Sequence, residues 1–205
     1  MRKAVLFDID GTLLNSWDFI FEAVKYALAT HKYQYPSADK IRQALGRPLI
    51  EFYQVLSPGV DPLPLAKTHH EFQQNKLDLI KLFPGTRKTL AALRNKGFLL
   101  AAVSNRKRDS LLPSLEHAKI LEYFSIVVSA EEVENPKPHP DHLLFALKHL
   151  QVKPVHSYMV GDTDNDILAG KSAKVKTVGV TYGSLGMEIK NYHPDFIIND
   201  ISELL

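Results

Sequence analysis

From Phe83-Pro84-Gly85 onward the chain alternates short apolar runs with stretches of helical periodicity, and this alternation most constrains its fold. Segments 98–103, 125–128, 157–160, 177–180 and 196–198 read as strands, and 86–96, 109–118, 139–150 and 164–173 as the helices between them. Short apolar strands separated by helices require a parallel sheet covered on both faces, because each crossover lays its helix against the sheet. One further strand, Ala4-Val5-Leu6-Phe7, stands alone at the start and must join the same sheet. The expected fold is α/β: a doubly wound parallel sheet with a helical cap inserted after the first strand. Residues 1–15 and 83–205 are expected to form the core, and 16–82 the cap.

The insertion shows helical spacing and no convincing buried strand. Trp17, Ile20, Phe21, Val24 and Leu28 recur with helical period behind Ser16, a candidate N-cap. Further helices are expected over 38–45, stopping at Gly46, over 49–56, and from Pro62 or Pro64 towards Leu79. Its aromatic positions read as core. The adjacent His69 and His70 should not share one helical face, and none of the nine histidines shows zinc-ligand spacing with a third ligand.

Where the first strand ends, Asp8-Ile9-Asp10-Gly11-Thr12 puts two carboxylates one residue apart before a glycine. Ligands of open α/β sheets bind outside the carboxyl ends of the strands. A turn started at Gly11 can bring both acids to one cavity, one to attack or hold a metal and the other to handle a proton. The competing expectation is that the two acids only cap a helix beginning near Leu13. Three more polar groups fall at strand ends: Ser104-Asn105, Lys137 between two prolines, and Gly161-Asp162-Thr163-Asp164-Asn165-Asp166. Each alone fits a turn, a solvated lysine or a helix cap. Their recurrence at successive strand ends fits phosphoryl transfer.

A carboxylate can attack phosphorus only if the charge on the phosphoryl oxygens is neutralised. A hard divalent cation on Asp8 and Asp162, with Mg²⁺ the natural choice for oxygen ligands, would do part of this. Lys137 would balance the remainder, while Ser104, Asn105 and the amides of the Gly11-Thr12 turn would bind phosphoryl oxygens.

On Asp8-Ile9-Asp10-Gly11-Thr12-Leu13, Ser104-Asn105, Lys137-Pro138 and Gly161-Asp162 through Asp166, the chain resembles the haloacid dehalogenase superfamily of phosphohydrolases. Leu45-Gly46, Pro84-Gly85, Asp166-Ile167-Leu168-Ala169-Gly170 and Val178-Gly179-Val180-Thr181-Tyr182-Gly183 extend the likeness to the phosphoglycolate phosphatase-like branch with a helical cap. The resemblance implies that Asp8 is the nucleophile and forms an aspartyl-phosphate. It implies that Asp10 is general acid and then base, binding Mg²⁺ through its carbonyl, and that Asp162 is the third protein ligand. Asp166 would orient metal-bound water or Lys137 from behind the metal ligands.

Asn15 stands where relatives frequently carry aspartate, and Arg106 where many carry lysine. Arg47 is the cap candidate for a second anionic group, and His139 is expected to serve the Lys137 loop. The substrate expected is a small phosphorylated metabolite: phosphoglycolate, a sugar phosphate, a nucleotide or pyrophosphate. Thr12 favours a phosphatase over a sugar-phosphate mutase, whose relatives commonly carry valine there. Asp10 argues against a dehalogenase or phosphonate hydrolase. A non-enzymatic phospho-aspartate regulatory module is disfavoured because such receivers lack a helical insertion after the first strand.

Composition narrows partners and compartment. The 25 basic and 23 acidic side chains nearly balance, leaving no nucleic-acid or membrane footprint. No apolar run spans a bilayer, and Asp8 and Asp10 interrupt the N-terminal stretch in a way a signal peptide would not. The lack of cysteine excludes disulfides and thiolate chemistry, compatible with a cytoplasmic monomer or small homo-oligomer.

Overall fold

The computed structural model describes residues 2–205. The chain runs β1 (Lys3–Phe7), β2 (Leu14–Asn15), α1 (Trp17–Thr30), α2 (Ala38–Ala44), α3 (Leu49–Leu56), α4 (Pro62–Gln74) and β3 (Lys81–Leu82). It continues through α5 (Thr86–Asn95), β4 (Phe98–Val103), α6 (Arg108–His117), β5 (Ile126–Val128), α7 (Asp141–Leu150), β6 (Ser157–Gly161), α8 (Asp164–Ser172), β7 (Lys176–Val180) and β8 (Phe196–Ile198). Six strands pair in parallel in the order β5-β4-β1-β6-β7-β8, so β1 lies between β4 and β6 at the centre. The doubly wound α/β expectation holds.

Strand periodicity explains the two faces. Val5 and Phe7 of β1 point into one cluster with Leu90 and Leu93 of α5 and Leu111 and Leu115 of α6. Ala4 and Leu6 point the other way, into a cluster with Leu143, Ala146 and Leu147 of α7 and Ala169 of α8. Alternate residues of a strand face opposite sides of its sheet, and here both sides are covered. The central strand from Ala4 to Phe7 and its neighbour β4 are accordingly apolar on both faces.

Helices α1 to α4 bury a third cluster of their own, including Val24, Leu28, Ile41, Phe52, Tyr53, Leu56 and Leu65. Ser16 precedes α1 as expected, although its side chain makes no capping bond. Three local expectations are corrected. The helix expected to run towards Leu79 ends at Gln74, and residues Leu77–Leu79 form a separate 3₁₀ turn. Lys81–Leu82, within the stretch expected to be purely helical, forms an antiparallel ribbon with Leu14–Asn15, pairing Leu14 with Leu82 and Asn15 with Lys81. A two-residue strand is too short to leave a periodic signal. Finally, no helix begins near Leu13: the chain turns through Gly11 into β2, so Asp8 and Asp10 are not helix caps.

Candidate active site

The acidic loop after β1 turns tightly. The amides of Leu13 and Leu14 donate to the Ile9 carbonyl, and Gly11 sits at φ +83, a left-handed conformation that favours glycine. A side chain at Gly11 would also collide with the Asp162 carboxylate. The turn brings Asp8 and Asp10 to the wall of one cavity of about 500 Å³, together with Gly11, Ser104 and Asn105. The cavity lies between the carboxyl edge of the sheet and helices α1, α3 and α4.

Lys137 reaches that edge from the loop before α7. Its ammonium donates to Asp8 Oδ1 at 2.7 Å, Asp166 Oδ1 at 2.8 Å and the Val103 carbonyl at 2.9 Å. Burial opposes its charge, but Asp166 and Asp8 outweigh that and hold the ammonium above the usual lysine range. Asp166 is fully used: its other oxygen accepts from the amide and hydroxyl of Thr163, capping α8. Asp162 accepts from the Thr12 hydroxyl at 3.1 Å on one oxygen and from the amide and hydroxyl of Ser184 at 2.7 and 2.5 Å on the other.

One oxygen each from Asp8, Asp162 and Asp166 lie within 4.8 Å of one another, all from buried residues. Three carboxylates against one ammonium leave excess negative charge in a desolvated site. Burial accordingly pushes the Asp8 carboxyl well above its usual range despite Lys137. Burial, then Asp166, pushes Asp162 up to about 7. Such a cluster takes up either protons or a cation, and an all-oxygen donor set suits a hard divalent ion. The residues present therefore fit a hard divalent ion such as Mg²⁺.

Asn105 is brought to the site as expected, but its amide works as a clamp. It accepts from the Lys137 amide at 3.0 Å and donates to the Lys137 carbonyl at 2.8 Å and the Gly46 carbonyl at 2.7 Å. It thus ties the Lys137 loop to the loop between α2 and α3. Gly46, at φ +80, lies so close to Thr163 and Asn165 that a Cβ would press on both. Ser104 accepts from the Arg106 amide at 3.2 Å and keeps its hydroxyl proton for another acceptor. His139 serves its own loop through a backbone bond to Pro136.

Arg106 pairs with Asp10 at 3.3 Å, bonds Ser110 and Ser114, and lies over the Phe19 ring with its guanidinium carbon 5.2 Å from the centroid. Arg47 lines the cavity and donates to the Gln43 carbonyl at 2.7 Å. His69 and His70 both line the cavity but point to different neighbours, as expected of adjacent positions on a helix. His70 bonds Asp109 of α6 at 3.0 Å, and buried His69 bonds the Tyr53 hydroxyl at 3.0 Å. Burial, then Arg106, lowers His69 to about 3, so its imidazole is neutral. Ser184 is not among the residues singled out from the sequence: it lies 22 positions after Asp162, just past the segment 178–183 in which β7 ends.

Residues 5–180 match the family of haloacid dehalogenase-like hydrolases. A pyrophosphatase PpaX of Anoxybacillus flavithermus is 37% identical over 99% of this chain and 95% of its own length. A solved structure of a predicted phosphoglycolate phosphatase from Haemophilus somnus superposes with a TM-score of 0.91 at 25% identity, over 99% of this chain and 96% of that one. A predicted phosphatase from Clostridium acetobutylicum gives 0.89 at 26% identity, over 100% and 97%.

Proposed function

The chain belongs to the haloacid dehalogenase-like hydrolase family, and from that premise we propose that it is a Mg²⁺-dependent phosphatase of a small phosphorylated metabolite. The reaction proceeds through an aspartyl-phosphate on Asp8. In this reading residues 1–15 and 83–205 are the α/β phosphatase core and 16–82 the cap. The observation that carries it is the buried Lys137 ammonium shared by Asp8 and Asp166, beside Asp162.

Lys137 fixes the Asp8 carboxylate and supplies positive charge where the phosphoryl oxygens arrive. Asp8 attacks phosphorus, forming an Asp8 O–P bond while the bond to the leaving oxygen breaks. Asp10, protonated when substrate binds, gives that oxygen its proton; as the resulting carboxylate it then takes one from the water that cleaves the Asp8 O–P bond and releases phosphate, which restores its starting form. The Ser104 hydroxyl holds a phosphoryl oxygen and Asn105 keeps the Lys137 loop in place; the Gly11 and Thr12 amides, expected to help, instead donate within the turn to the Leu14 and Ile9 carbonyls. Arg106 holds the Asp10 carboxylate. Asp166 orients Lys137 and caps α8. Mg²⁺, held by Asp8, Asp162 and the Asp10 carbonyl, would neutralise charge on the transferring group.

Helices α1, α3 and α4 cover the site and exclude bulk water, which favours small substrates. The near balance of charge supports a protein acting without nucleic-acid or membrane partners; in this reading it works in the cytoplasm as a monomer or small homo-oligomer. The test is phosphate release from small phosphate esters and pyrophosphate, with Mg²⁺ and with chelator. Metal-dependent release that vanishes in Asp8→Asn is expected. A stoichiometric, long-lived adduct without turnover would overturn the phosphatase.

A further inference from the structure

The cavity is larger, and its helical wall more apolar, than a phosphoryl group requires. Its volume of about 500 Å³ falls within the range of about 300–1,000 Å³ typical of sites that enclose drug-sized organic ligands. The phosphoryl end occupies only the edge at Asp8, Gly11 and Ser104. The remaining wall includes Trp17 and Ile20 of α1, Leu49, Ile50 and Phe52 of α3, and Leu63 of α4. Such a wall stabilises apolar surface and costs a charged group its hydration.

The cations that could receive a second anionic group are mostly committed. Arg106 is held by Asp10, Ser110 and Ser114. His70 is held by Asp109, and His69 is a neutral imidazole bonded to Tyr53. Lys67 and Lys107 also line the cavity, but both stand out in solvent, where hydration competes with any ligand. Arg47, anchored through one nitrogen to Gln43, is the guanidinium on this wall with donors to spare.

We propose that the leaving group is an uncharged organic alcohol with an apolar face about the size of an aromatic ring. The protein then prefers such phosphomonoesters to inorganic pyrophosphate and to phosphorylated carboxylates. This rests on the phosphatase reading above. The ester P–O bond breaks as before, and the departing alkoxide takes its proton from Asp10 while its apolar body lies against Leu49, Phe52 and Trp17.

The test compares kcat/KM for benzyl phosphate, phosphoglycolate and pyrophosphate with saturating Mg²⁺, in wild type, Leu49→Asn, Arg47→Ala and Asp8→Asn. Benzyl phosphate and phosphoglycolate are both esters of primary alcohols, so their ratio reports recognition. Benzyl phosphate is expected to lead phosphoglycolate by at least about tenfold, a difference of ~1.4 kcal/mol. Leu49→Asn should narrow that ratio. Comparable values for all three substrates would overturn the proposal. So would a preference for phosphoglycolate or pyrophosphate, whether or not Arg47→Ala removes it, while leaving the phosphatase reading intact. Release that is absent, or unchanged in Asp8→Asn, would overturn that reading as well.

Discussion

At the carboxyl edge of the sheet, Lys137 spends its ammonium on Asp8, Asp166 and Val103, while Asp162 is held from both sides by Thr12 and Ser184. Across the cavity, α1 and α3 present Trp17, Ile20, Leu49 and Phe52, and behind them the Tyr53 hydroxyl and His69 bond each other. The sheet edge gathers charge at a fixed point, whereas the helical wall offers shape and apolar surface. In the function proposed above, chemistry and selectivity reside on these different elements, and each can be perturbed with a different readout.

The largest separation comes from Asp8→Asn, expected to cost at least about 10³-fold in turnover, as loss of a nucleophile does. Its secondary structure by circular dichroism should match the wild type. Near-normal Mg²⁺-dependent activity in this variant would remove the nucleophile assignment. Lys137→Met should strike stability too. It leaves Asp8 and Asp166 buried without their partner, a loss of roughly 3–5 kcal/mol that urea unfolding would measure. An unchanged urea midpoint would mean that the ion network contributes nothing to the fold.

Mg²⁺ should stabilise the protein by about 2.7 kcal/mol when present at 100 times its dissociation constant. Asp162→Asn should blunt the effect, seen as a smaller rise in Tm on adding the ion. An equal rise in that variant would put the metal elsewhere.

The helical side should respond more weakly. Tyr53→Phe removes the hydroxyl bonded to His69 and should cost about 1 kcal/mol of stability, with little change in kcat. A large fall in kcat would show that the helical wall takes part in the chemistry. The same histidine gives a test by pH. Its folded pKa, about 3, lies below the ordinary 6.5, so the unfolded chain binds the extra proton first. The stability it confers is complete above about pH 6.5 and is lost as pH falls towards 3. His70 and Arg106 oppose its protonation, while the Tyr53 hydroxyl is neutral. Comparing urea midpoints at pH 7 and pH 5 in wild type and His69→Gln should show a smaller pH dependence in the variant. Identical slopes would mean that His69 does not govern it.

The two regions also differed in how far the sequence exposed them. Around the sheet, each apolar run and the polar group after it are consecutive, so Asp8, Ser104 and Asp162 were legible as strand-end residues that this topology must gather. Lys137 was legible from its proline-bounded loop. Asp166 was visible three residues into a helix, although its double duty to Lys137 and Thr163 was not. Ser184 was hidden because a serine in a loop gives no sign of the carboxylate it meets. In the helical region, periodicity found the helices but not which residues line the cavity. The phase and tilt of α4 bring both His69 and His70 to it, and that geometry depends on packing. The Arg106–Asp10 pair likewise joins residues 96 positions apart through the sheet order.

The ribbon of Leu14–Asn15 with Lys81–Leu82 has an evolutionary consequence. The chain departs from the sheet and returns to it across one hydrogen-bonded pair of short strands. The ends of any segment spliced between them are already held together. Lengthening or replacing that segment then adds a closure entropy that grows only with the logarithm of its length. A lineage could exchange the whole span for another of different size while the acids at the sheet edge keep their places, acquiring new substrates without having to reinvent the reaction.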